Sequence, residues 1–140
     1  MPKAVALALV VLMVALEGCR TTTQDKVTEI DQHGFKILVR SREFNNSGAI
    51  NIDICVTESS AREFPKNSLG CIMHGYDISG LTVKWDSDRE ISIALDCGRI
   101  TAFNNFAVVA PPNALPLQFH ATLQDHYRCA APDGSNPRVK

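Results

Sequence analysis

An all-β fold follows from three features of this 140-residue chain. Apolar and polar residues alternate at period two in several short runs. Clusters of turn-forming residues separate those runs. After the first eighteen residues, no stretch keeps a helical period for more than two turns. Together these predict a small antiparallel β-sandwich of six or seven strands.

The elements follow in order. Phe35, Ile37 and Val39 alternate with Lys36, Leu38 and Arg40. Asn45-Asn46-Ser47-Gly48 is a turn cluster, rich in residues that tolerate positive φ. Ile50, Ile52, Ile54 and Val56 then alternate with Asn51, Asp53, Cys55 and Thr57, so the two runs predict a hairpin. Residues 58–79 are less regular. Ser60-Ala61-Arg62-Glu63 has capping-box spacing and predicts a helical turn that Pro65 keeps short. Cys71 to Tyr76 reads as an irregular or edge strand. Leu81, Val83 and Trp85 form one strand, Asp86-Ser87-Asp88-Arg89 a turn, and Ile91, Ile93, Leu95 and Cys97 its partner strand. Short strands at 100–103 and 106–109 flank Asn104-Asn105. A last strand carries Leu117, Phe119, Ala121 and Leu123.

The first nineteen residues have a different character. Lys3 is followed by an uncharged run from Ala4 to Leu16. A bilayer span needs about 20 apolar residues, so this run has the length of a signal-peptide core instead. Leu16-Glu17-Gly18-Cys19 follows. This resembles the lipobox of bacterial lipoproteins, with Glu17 standing where small or uncharged residues are usual. The resemblance implies cleavage before Cys19 and acylation of its thiol and amino group. It also implies an envelope location, with the outer membrane favoured where one exists, because Arg20 rather than Asp follows the cysteine. The expected division is a signal peptide over 1–18, a lipidated Cys19 and polar tether over 19–32, a β-domain over 33–129 and a flexible tail over 130–140.

Composition narrows the partners. Without Lys3 and Glu17 the formal charge stays at −1. No basic stripe stands out, so nucleic acid is not an expected partner. The expected partners are the lipid bilayer, through Cys19, and an envelope protein or ligand. No cofactor is expected.

The chain has five cysteines. With Cys19 lipidated, four remain, and an even remainder in an exported protein predicts two disulfides. Cys55 falls on the polar face of its strand and Cys97 on the apolar face of its own. This favours Cys55–Cys71 and Cys97–Cys129, and leaves Cys55–Cys129 with Cys71–Cys97 as the open alternative.

Several residues merit a functional reading. Cys71 with His74, and His126 with Cys129, form two close pairs with zinc-ligand chemistry, and Met73 adds a soft donor for copper. His33, His74, His120 and His126 are acid–base candidates. Asp125 and His126 are strand neighbours that point apart, so they form no dyad. Trp85 shares a face with apolar neighbours and reads as core. Arg99, Phe103, Asn104, Asn105 and Phe106 read as a possible binding loop beside Gly98. No Gly-x-Ser-x-Gly, His-Glu-x-x-His or phosphate-cradling glycine loop occurs. The expected function is therefore an envelope binding or structural module and not an enzyme. The alternatives are a metal-binding lipoprotein using Cys71, His74, His126 and Cys129, and an envelope enzyme or enzyme inhibitor.

Overall fold

The computed structural model describes residues 24–43, 48–126 and 129. The signal over 1–18, Cys19, the turn residues Asn45 to Ser47 and the tail over 130–140 lie outside the described residues.

Nine strands occur among the described residues: β1 (Gln24–Gln32), β2 (Phe35–Glu43), β3 (Ile50–Glu58), β4 (Cys71–Ser79), β5 (Thr82–Ser87), β6 (Glu90–Leu95), β7 (Cys97–Phe103), β8 (Phe106–Val109) and β9 (Leu117–Asp125). They form a five-stranded sheet of order β1-β2-β3-β4-β7 and a four-stranded sheet of order β5-β6-β9-β8. The all-β sandwich is as expected, with nine described strands in place of six or seven, and with Cys97 opening β7 instead of ending the Ile91–Leu95 strand. Both expected hairpins form, β2 with β3 and β5 with β6.

The core lies between the sheets. Ile37, Ile52, Ile54, Val56, Ile72 and Met73 line one inner face. Ile91, Ile93, Leu95, Ala107, Phe119 and Ala121 line the other. Strand alternation places them there, because every second side chain points to the same face. Phe119 is fully enclosed and joins the layers: its ring centroid is 4.9 Å from Phe35 and 5.7 Å from Trp85. Trp85 Nε1 donates to the Ile30 carbonyl at 2.9 Å, so its one polar atom is satisfied against the opposite sheet.

Four further expectations change. The tether does not run through residue 32, because Gln24–Gln32 pairs along its whole length with β2. Of Lys26, Thr28, Ile30 and Gln32, which share the face of Ile37 and Val39, only Ile30 is apolar, so this edge strand carries a weak apolar signal. It closes onto β2 through His33-Gly34, whose φ values of 47° and 87° suit a two-residue hairpin turn. Second, β4 is no edge: it lies between β3 and β7. Its alternation is broken by a bulge that turns both Ile72 and Met73 inward. Third, no helical turn forms at Ser60–Glu63. The chain makes a tight turn there, with Ala61 N donating to Glu58 O at 3.0 Å. One 3₁₀ turn forms later at Ser68–Gly70, where Asn67 Oδ1 accepts from Gly70 N. Fourth, the four-stranded sheet is mixed. β7 crosses to the first sheet and β8 returns, so β9 arrives parallel to β6.

Candidate functional site

The outer face of the five-stranded sheet gathers the chemistry. Antiparallel register aligns Arg40 of β2 with Asp53 of β3, and Asp53 with His74 of β4. All three side chains point away from the core, since their strand neighbours Val39, Ile54 and Met73 point into it. Asp53 is the hub. Its Oδ2 accepts from Arg40 Nη2 at 2.7 Å and Nε at 3.1 Å. Its Oδ1 lies 2.5 Å from His74 Nδ1. An ionised carboxylate only accepts hydrogen bonds, so His74 carries a proton on Nδ1 and its Nε2 is turned away from Asp53.

One row along the same face, Arg42 stands opposite Asn51, and Asn51 opposite Tyr76. Arg42 Nε lies 3.6 Å from Asp25 and its Nη2 3.9 Å from Asp53. Arg99 of β7 reaches over the Tyr76 ring, 5.3 Å from its centroid. Gly75 lets β7 come this close: a Cβ there would stand 2.7 Å from the Arg99 carbonyl oxygen.

Burial and charge oppose each other at Asp53. Its side chain is only 16% exposed. Burial raises the pKa of the carboxyl, but hydrogen bonds from Arg40 and His74, with their charges, outweigh it and hold the pKa below the usual carboxylate value. Arg40 is supported from its other side, with its guanidinium carbon 3.9 Å above the Phe64 ring.

Phe64 belongs to the 59–70 segment, which folds over the same face. Ala61, Arg62, Glu63 and Phe64 line a depression together with Val27 and Leu38. This cover explains why Leu38 and Cys55 are buried although they point outward. The Cys55–Cys71 disulfide ties the end of the segment to β3. Lys36, also buried, keeps its ammonium 3.1 Å from Glu29.

Beyond the cover, the face opens into a depression of about 200 Å³ lined by Arg42, Asn51, Asp53, His74, Tyr76 and Thr101. Thr101 donates its hydroxyl to the His74 carbonyl at 3.1 Å, which fixes the rim. A site of this make-up presents a guanidinium, an amide, a phenol and an oriented imidazole to a polar ligand.

The residues expected from sequence distribute unevenly. Cys55–Cys71 and Cys97–Cys129 are both bonded, the favoured pairing. This removes the four-ligand metal set of Cys71, His74, His126 and Cys129, because each cysteine's sulfur is committed to a disulfide and His74 is committed to Asp53. The proposed binding loop is not one patch. Arg99 sits over Tyr76, whereas Phe103 pairs with Met73 further along β7 and packs on the core. Asn104 is pinned by its side chain to the Cys71 carbonyl and by its N–H to Ile72, and Asn105 O accepts from Ala121 N. Those bonds hold the crossover between sheets, and only Phe106 of the two aromatics is well exposed. His33 pairs with Asp88 at 2.7 Å on the surface, away from the depression. His120 and His126 belong to the other sheet's side, where their backbone N–H groups bond the Arg89 and Leu95 carbonyls.

The Arg40–Asp53–His74 cluster escaped the sequence reading for a definite reason. Placing Cys55 opposite Cys71 without a bulge would set Asp53 against Met73. The extra residue Ile72 shifts the register by one and turns His74 outward instead. Comparison with known protein families, curated proteins and solved structures finds no match to this chain.

Proposed function

We propose that this protein is a lipid-tethered envelope module that binds a polar ligand on the outer face of its five-stranded sheet. The observation that carries this reading is the Asp53 hub. Three strands contribute Arg40, Asp53 and His74 to one partly buried network, beside a depression lined by Arg42, Asn51, Tyr76 and the Asp53 carboxylate. Charges drawn in from water must be paired, so such a network holds Arg40 and His74 in fixed positions. Preorganised donors bind with less loss of side-chain freedom. The Thr101 hydroxyl is committed to a backbone carbonyl and both Asp53 oxygens are in use, which favours binding over nucleophilic catalysis.

The tether is the lipobox-like Cys19 with its preceding signal. Two acyl chains hold a protein on a bilayer where one binds only marginally. The two disulfides suit an oxidising compartment.

Two measurements test the reading. Cys19→Ser should release the protein from the membrane fraction and remove the acyl mass; unchanged retention and mass would refute the anchor. A photo-crosslinking residue at Thr101 should give an adduct in intact envelopes, and the same residue at His120, on the other sheet, should not. Equal labelling at both positions would remove the outer face from consideration.

A further inference from the structure

The binding face carries a narrower statement, which rests on the reading above. We infer that the depression between Arg42, Asn51, His74 and Tyr76 is a subsite for a phosphate group, with Arg42 as its main cation.

The first support is an imbalance in the network. Asp53 is engaged at both oxygens: one serves Arg40 twice and the other serves His74. Arg42 is left with carboxylates at 3.6 and 3.9 Å, which attract it without closing a hydrogen bond. Its Nε is buried and has no hydrogen-bond partner among the described residues. The Nε lies toward Asp25 on β1, whereas Nη2 lies on the Asp53 side, 3.9 Å from that carboxylate, so an oxyanion in the depression would give the guanidinium the close acceptor it lacks there.

Charge is the second support. Arg40, Arg42 and Arg99 face two carboxylates, Asp25 and Asp53, so this part of the face is positive before His74 is counted. A third is the direction of the donors. Arg42 comes from β2, Asn51 from β3 and Tyr76 from β4, and the His74 ring adds an Nε2–H donor only when it carries a second proton, its Nδ1–H being held by Asp53. A planar carboxylate is satisfied edge-on by one guanidinium fork, whereas donors converging from three strands match an anion with several oxygens in different directions. The space, about 200 Å³, exceeds a bare phosphate and leaves room for a small organic substituent.

The phosphate has two possible carriers: a lipid headgroup at the membrane surface, or a soluble phosphate ester. The test titrates purified full-length protein in detergent with inorganic phosphate, and with acetate at equal ionic strength, while following backbone amide and His74 ring resonances. Phosphate should move Arg42, Asn51, His74 and Tyr76, and acetate should not. Arg42→Gln should weaken phosphate binding by about tenfold or more, the loss expected for a charge-assisted pair. Arg42→Lys keeps the charge without the fork and should lose less. Lys84→Gln, on the other sheet, should change nothing. Competition by phosphatidylglycerol vesicles but not phosphatidylcholine vesicles assigns the lipid carrier; competition by glycerol phosphate alone assigns the soluble one, and both support the subsite. Equal shifts with acetate, no shift at these residues, or full binding by folded Arg42→Gln would overturn it. In that case a surviving Thr101 adduct would leave the binding face standing with a different ligand.

Discussion

The two outer faces of this sandwich are built by the same alternation and do different things. The outer face of β5, β6 and β9 shows Thr82, Lys84, Ser92, His120, Thr122 and Gln124 to solvent. Its polar contacts among the described residues join neighbours pairwise: Lys84 and Ser92 with Asp86, and Thr122 Oγ1 with the Ile91 carbonyl at 3.5 Å. The outer face of β2, β3 and β4 instead shares one carboxylate across three strands and is half roofed by the 59–70 segment. Partial cover is what distinguishes the two faces. It lowers the local dielectric, strengthens each pairing and fixes the geometry of the exposed remainder. The uncovered face stays a solvated surface, where ion pairs contribute little.

The largest break in this contrast comes from the shared core. Phe119→Ala should cost about 3–5 kcal/mol and destabilise both sheets together, read as one cooperative urea transition at lower midpoint. Two separate transitions would show that the sheets are independent.

Removing the roof's fastening should act on one face only. Replacing Cys55 and Cys71 together by Ala should cost about 2–4 kcal/mol. Amide exchange should rise through 59–70 and at Arg40, with β5 and β6 still protected. Uniform loss of protection would mean that the disulfide serves the whole fold instead.

Asp53→Asn should cost about 1–3 kcal/mol at neutral pH, because it leaves Arg40 and His74 near a neutral hub. The sign with pH is defined. The carboxyl's folded pKa lies below its unfolded value, so its contribution is present above the unfolded pKa and lost as pH falls through the folded one. The gap between wild type and Asp53→Asn should therefore narrow on acidification below about pH 4. A gap that stays constant in acid would show that Asp53 acts by shape and not by charge. The smallest effect belongs to the solvated face: Lys84→Ala should change stability by less than about 0.5 kcal/mol in the same denaturation.

Much of this was readable in the residues. The Ile50–Val56 run marks β3 as half-buried, and its alternation puts Asp53 and Cys55 on the outer side. The favoured disulfide pairing holds, but not for the expected reason: Cys97 does not continue the Ile91–Leu95 strand and instead opens β7, in the same sheet as Cys55. The edge strand β1 was not readable, because an edge can be held by backbone pairing with few apolar side chains. The dissolved metal set shows a related limit: Cys71 and His74 are close in sequence, yet the chain gives them to different partners.

By itself, then, the sequence determined which side chains each regular strand turns inward and which it turns outward, because that is a property of period two in the local backbone. It also determined the all-β class and the cysteine parity. Only the tertiary structure decided which outward residues meet. That depends on register between strands distant in sequence, and here on one bulged residue, Ile72, that brings His74 rather than Met73 to Asp53. It also decided which outward residues are covered, because the roof over Leu38 and Cys55 comes from a segment whose own sequence has no period to read.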